Sequence, residues 1–164
     1  MILEKYPIKT VLIFWIVNLL SFVFGFYIIS KLNLYLGVLY IIYILILEFK
    51  VYKEGCVICC YYGKRCAFGR GLIASKFFKK GDNKKFCDRK LSWKGMIPEI
   101  LVLLIPIVIG VYFLVKDFNY LMLVFVIYLA LIWFVFNALF YGKLACCYCK
   151  QGSICCPAKK FFNK

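Results

Sequence analysis

No histidine occurs in the chain of 164 residues, and only seven acidic residues stand against 22 Lys and Arg. The first absence removes imidazole as a metal ligand, so any zinc site must be all-cysteine. With it goes the commonest activating base, and no nucleophile–base pair, phosphate loop or paired carboxylate cleft can be named. Charge is missing along four stretches: 10–29 (TVLIFWIVNLLSFVFGFYII), 32–47 (LNLYLGVLYIIYILIL), 100–115 (ILVLLIPIVIGVYFLV) and 118–142 (FNYLMLVFVIYLALIWFVFNALFYG). A proton- or ion-coupled transporter normally carries an ionisable group at mid-depth, so their lack argues against coupled transport. Asn18 and Asn137 are the polar residues placed to hydrogen-bond inside a bundle. Glu48 and Glu99 fall at span ends, where they need not be desolvated.

What is present is apolar. Hydrophobic residues make up 65% and aromatics 20%, against about half apolar in soluble domains. Residues 10–29 and 118–142 are long enough to cross a hydrocarbon core, which takes about 20 residues. The runs 32–47 and 100–115 cover roughly 24 Å, which suffices with flanking residues or local thinning. Re-entrant or buried helices are the alternative for these two. Each adjoins a full-length span across a short turn, at Ser30–Asn33 and at Lys116–Phe118, as antiparallel hairpins require. The first span is too long for a cleaved signal peptide and lacks a small-residue cleavage site. The expected fold is an all-α membrane protein, with four transmembrane helices as two helical hairpins in parallel tandem repeat. A hairpin over 1–49 precedes a Cys-rich basic loop over 50–96. A second hairpin over 97–142 precedes a Cys-rich tail over 143–164.

Segment 50–96 holds thirteen basic residues, the tail from Tyr141 five, and the N-terminus Lys5 and Lys9; only Lys31 and Lys116 fall in the opposite turns. The positive-inside rule makes the basic face cytoplasmic, with both termini inside a cytoplasmic (inner or plasma) membrane. All ten cysteines lie on that face. In a reducing compartment, clustered cysteines suit metal binding or catalysis better than a disulfide framework, which fits only an inverted topology.

An offset of 90 residues lays Cys56-x2-Cys59-x6-Cys66 onto Cys146-x2-Cys149-x6-Cys156, each following a pair of spans. The repeat leaves Cys60, Cys87, Cys147 and Cys155 as fourth ligands or spares. Two four-thiolate sites follow, or ligands exchanged between the motifs. The expected ligand set is Cys56, Cys59, Cys66, Cys87, Cys146, Cys149, Cys155 and Cys156.

C-x2-C turns two sulfurs toward one ion, and thiolates select zinc, copper(I) or iron–sulfur clusters. Iron–sulfur is the favoured cofactor. The Cys156-Pro157 step resembles the Cys-Pro that closes bacterial ferredoxin motifs, although their compact C-x2-C-x2-C run is absent. The expected function is a membrane electron-transfer or redox partner subunit. The alternatives are a zinc-clamped interaction scaffold and thiol-dependent handling of soft metals. Lys53, Lys64, Arg65 and Arg70, with Lys143, Lys150, Lys159 and Lys160, would offset the charge of either centre, but the positive-inside signal also accounts for them. Acylation of Cys60, Cys147 or Cys155 needs fewer cysteines than the repeat supplies. Dithiol exchange at Cys56/Cys59 and Cys146/Cys149 leaves the third repeated cysteine unexplained.

Segments 72–80 (LIASKFFKK) and 159–162 (KKFF) suit amphipathic elements on an anionic leaflet. Expected partners are therefore anionic lipid headgroups and a redox protein, with the oligomeric state open. Topology accounts for Lys79, Lys80, Lys84 and Lys85, so no nucleic acid is expected.

Overall fold

The computed structural model describes residues 2–87 and 93–155. Cys156 and segment 159–162 lie outside the described residues.

Among the described residues, four helices are long and apolar enough to span a membrane, the pattern of a multi-pass membrane protein. The first is α1 (Ile8–Ser30) and the second α2 (Leu34–Glu54). Two short helices follow, α3 (Arg70–Phe77) and α4 (Lys84–Cys87). The third long helix is α5 (Trp93–Lys116). The fourth begins as α6 (Tyr120–Leu131) and continues through a π-helical stretch at Ile132–Phe136, α7 (Asn137–Leu139) and a second π-helical stretch at Phe140–Ala145. The tail forms α8 (Lys150–Ile154). Among the described residues there is no strand, only a single bridge between Leu3 and Cys149.

Flanking residues lengthen both short runs. The 21 residues of α2 and the 24 of α5 rise roughly 31 and 36 Å at 1.5 Å per residue, enough for a hydrocarbon core. Asparagine starts the helix after each short turn. Asn33 Oδ1 accepts from Tyr35 N and Asn119 Oδ1 from Leu121 N, both at 2.9 Å. Such N-caps satisfy an amide that the helix leaves bare and contribute about 1 kcal/mol.

The chain divides into two compact units. One contains residues 17–47 and 93–137. Its core gathers Ile28, Met122, Val126 and Leu129 in one cluster, and Ile29, Tyr40, Ile44 and Val102 in another. Phe24 stacks on Phe125, with ring centroids 4.3 Å apart. Large apolar side chains such as Leu19, Leu45, Val108 and Val124 stay exposed, as suits a lipid-facing surface. Pro106 lies within α5 and has no N–H to give the carbonyl of Val102. Tyr40 Oη donates to that carbonyl at 2.9 Å. Its hydroxyl passes so close to Gly25 that a Cβ there would lie 2.5 Å from it.

The other unit contains residues 1–16, 48–92 and 138–164. It holds the sequence motifs.

Candidate thiol-rich site on the loop and tail

Both C-x2-C segments close the same way. Cys59 N donates to Cys56 O at 3.3 Å, and Cys149 N donates to Cys146 O at 3.4 Å. A second turn, from Tyr62 N to Cys59 O at 3.0 Å, leads to Gly63 at φ +74°, a conformation glycine adopts without strain. Gly71 follows at a close backbone approach: a Cβ there would sit 2.2 Å from the carbonyl oxygen of Tyr61.

The N-terminal segment lies against both motifs. Leu3 N donates to Tyr148 O at 3.1 Å, and Tyr6 N donates to Arg65 O at 3.0 Å. The buried Tyr6 hydroxyl donates to Ala145 O at 2.6 Å. Tyr61 Oη donates to Leu3 O at 2.5 Å and accepts from Lys150 N at 3.0 Å. Gln151, also buried, accepts from Cys60 N at 3.0 Å. The rings of Tyr6 and Tyr61 are 5.8 Å apart. Two cysteine motifs separated by 90 residues of sequence thus meet around two tyrosines.

The thiols feel one another. Burial pushes the Cys59 thiol far above its ordinary range, and the neighbouring Cys60, Cys149 and Cys66 raise it further. Burial raises Tyr6 as well, with Cys149, Tyr61, Cys146 and Cys66 adding to the effect. Tyr61 is pushed up to about 12, again chiefly by burial. The Cys59 thiol holds its proton unless a cation replaces it, and a bound metal does that to a coordinating thiol. The donor chemistry therefore fits a soft metal or cluster. Among the described residues, however, no three of Cys, Asp and Glu stand in ligating geometry.

Of the expected ligands, Cys59, Cys66, Cys146 and Cys149 share this neighbourhood. Cys56 starts the first turn as a half-buried thiol. Cys87 and Cys155 are joined to each other in a disulfide, and in that state neither sulfur is a thiolate for a metal. This pairing differs from the expectation of a reduced loop and tail. The reason is local: α4 and α8 each end on a cysteine or one residue before it, and the two ends meet. Cys147 is exposed, its thiol donating to Gly142 O at 2.8 Å.

Two features were not foreseen. Glu48 is ion-paired with Arg70, whose guanidinium lies 5.9 Å from the ring centre of Phe14 and 5.8 Å from that of Phe68. Arg70 thus serves a carboxylate and an aromatic shell, and its charge also acts on Cys56 of the first motif. Tyr6 and Gln151, both buried, add to the contacts that hold the tail, Tyr6 from the N-terminal segment and Gln151 by accepting from the loop. Gln151 lies within the second motif and Tyr6 far from both in sequence, so nothing in the pattern marks them.

Comparisons with protein families, curated proteins and solved structures return no match.

Proposed function

We propose that the chain is a membrane metalloprotein whose loop and tail share one cysteine-ligated centre, drawn from Cys59, Cys66, Cys146 and Cys149. The observation behind this reading is the meeting of both motifs around Tyr6 and Tyr61, close enough for their thiols to perturb one another. Of the two arrangements the repeat allows, this favours ligands shared between the motifs over two separate sites. Cys56 and Cys156, the remaining members of the motifs, flank that set in sequence. An iron–sulfur cluster is the favoured occupant, and it would make the protein an electron carrier or redox partner subunit. Such a cluster supplies one-electron transfer. The chain's own residues would ligate it, exclude water with the two tyrosines, and hold loop to tail.

The matching C-x2-C turns and the matching asparagine caps support a tandem repeat of two helical hairpins. The charge asymmetry supports a cytoplasmic position for the site and both termini. In α3, Leu72, Lys76 and Phe77 are exposed, as are Lys79 and Lys80 beyond it. This mixture suits contact with anionic headgroups.

Zinc is the second reading, because the hydrogen bonds through Tyr6, Tyr61 and Gln151 already tie loop to tail, as a structural clamp would. Anaerobic purification separates the two. Brown protein absorbing near 400 nm (about where sulfur-to-iron bands fall) with acid-labile sulfide supports a cluster. Colourless protein with stoichiometric zinc supports the clamp. Protein containing neither metal refutes the proposal.

A further inference from the structure

The repeat assigns six cysteines to its two motifs and leaves Cys60, Cys87, Cys147 and Cys155 outside them. Two of these four, Cys87 and Cys155, form the disulfide, across 68 residues of sequence. Cys87 is exposed and Cys155 half-buried. The bond therefore has one sulfur open to attack and one held by its surroundings.

What holds Cys155 is Gln151. Its side-chain nitrogen Nε2 lies 3.5 Å from Cys155 Sγ, while its oxygen accepts from the Cys60 amide at 3.0 Å. A backbone amide can only donate, so Oε1 must face Cys60 and the Nε2 donor is left directed at the sulfur. A donor aimed at one sulfur of a disulfide favours that sulfur as the thiolate leaving group, since hydrogen bonds to charged acceptors are the stronger ones.

Compartment sharpens the point. On the orientation proposed above, this bond faces a reducing cytoplasm, where disulfides are usually transient and catalytic or redox-sensing. We propose that Cys87–Cys155 is a thiol–disulfide exchange site for a dithiol reductant, with Gln151 as its positioning residue. A thiolate of the dithiol attacks Cys87 Sγ, forming a mixed disulfide and expelling Cys155 as a thiolate that accepts from Gln151 Nε2. The second thiol of the reductant, once deprotonated, attacks its own partner's sulfur in the mixed disulfide. Cys87 leaves as a thiolate, and the reductant closes to its cyclic disulfide. Two electrons pass to the protein, and both cysteines then take up protons. The loop and tail lose their covalent link without any change at the motif cysteines.

The test uses the full chain in its native membrane, equilibrated with mixtures of reduced and oxidised dithiothreitol, quenched in acid and differentially alkylated. Peptide masses report Cys87 and Cys155 separately. The two should convert together, as one couple, without denaturant. A bond that yields only after unfolding is a structural disulfide and overturns the proposal, as does independent alkylation of the two cysteines under oxidising conditions. Cys87→Ser should leave Cys155 alkylated in every mixture. Gln151→Glu keeps an acceptor for the Cys60 amide but removes the donor and adds like charge. Reduction should slow by about tenfold, the change expected for losing one charge-assisted hydrogen bond. An unchanged rate with intact folding removes Gln151 from the mechanism. The orientation is tested separately by impermeant labelling, so its failure and the failure of exchange are distinguishable.

Discussion

Tyr40 Oη donates to the carbonyl of Val102, the acceptor that Pro106 leaves without its helical partner. In a bilayer no water reaches such a group, so the hydroxyl replaces a bond that α5 cannot make for itself. Tyr40→Phe should therefore destabilise the protein by about 1–3 kcal/mol, the cost of a buried unsatisfied carbonyl. In a Pro106→Ala background the helix recovers its own N–H, and the same change should cost much less. Unfolding of the three variants and the unaltered protein in detergent measures the coupling. Equal costs in both backgrounds would show that the hydroxyl does not serve the orphaned carbonyl.

The four long helices were legible in the sequence because uncharged apolar runs near 20 residues have few alternatives. The partners across helices were not. Pro106 stands in the apolar run 100–115, but its dependence on Tyr40 requires a contact 62 residues apart in sequence. Glu48 read as a residue free to stay hydrated, whereas it pairs with Arg70. A tertiary ion pair leaves no periodic trace. Four of the cysteines in the matched spacing, Cys59, Cys66, Cys146 and Cys149, lie near Tyr6 or Cys59. The spacing offered no means of seeing that Cys87 would find Cys155, since pairing depends on where α4 and α8 end.

Arg70 and Glu48 have side chains only 21% and 25% exposed. Removing one partner strands a charge that is largely out of water. Arg70→Met or Glu48→Gln should each cost about 2–3 kcal/mol, below the range for fully buried pairs because some solvent remains. The double variant, Arg70→Met with Glu48→Gln, should recover much of that loss. Thermal unfolding in detergent reports all three. A double variant as weak as the sum of the singles would show that the pair is not coupled.

Alkaline pH should weaken the metal-free chain. The Cys59 thiol is raised by burial above its ordinary value of 9.0, and the Tyr61 hydroxyl from 10.0 to about 12. Both groups keep their protons in the fold after the unfolded chain has lost them. Their stabilisation is therefore complete below about pH 9 and declines as pH rises from there, by up to about 1.4 kcal/mol per pH unit for each retained proton. Melting curves of chelator-treated protein from about pH 8 to about pH 11 should fall steadily. Cys59→Ser should flatten the first part of that decline, since serine does not titrate there. A melting temperature independent of pH would rule out the buried thiol.

The orientation predicts which cysteines an impermeant maleimide reaches on intact cells. Native cysteines should stay unmodified, including Cys147, which is exposed in the fold. Lys31→Cys and Asn119→Cys, in the turns on the opposite side, should react. Permeabilised cells should label Cys147 readily. Labelling of Cys147 without permeabilisation would reverse the topology and move the disulfide to an oxidising side.

Serine substitution distinguishes one shared centre from two equivalent ones. With two sites, each single change at Cys59, Cys66, Cys146 or Cys149 should remove about half of the bound metal. A shared site depends on every ligand, because an oxygen that keeps its proton does not replace a thiolate. Each single change should then remove nearly all of it. Cys147→Ser should have no effect, since that thiol turns to Gly142 O on the exposed side. Cys87→Ser and Cys155→Ser should also retain metal, as their disulfide lies outside the proposed ligand set. Metal binding is coupled to folding, so the depleted variants should expose loop and tail to protease while the apolar helices stay in the membrane. Metal analysis per mole of purified chain, paired with limited proteolysis, reads both effects. Full metal content after serine replacement of both Cys59 and Cys149 would refute the shared centre.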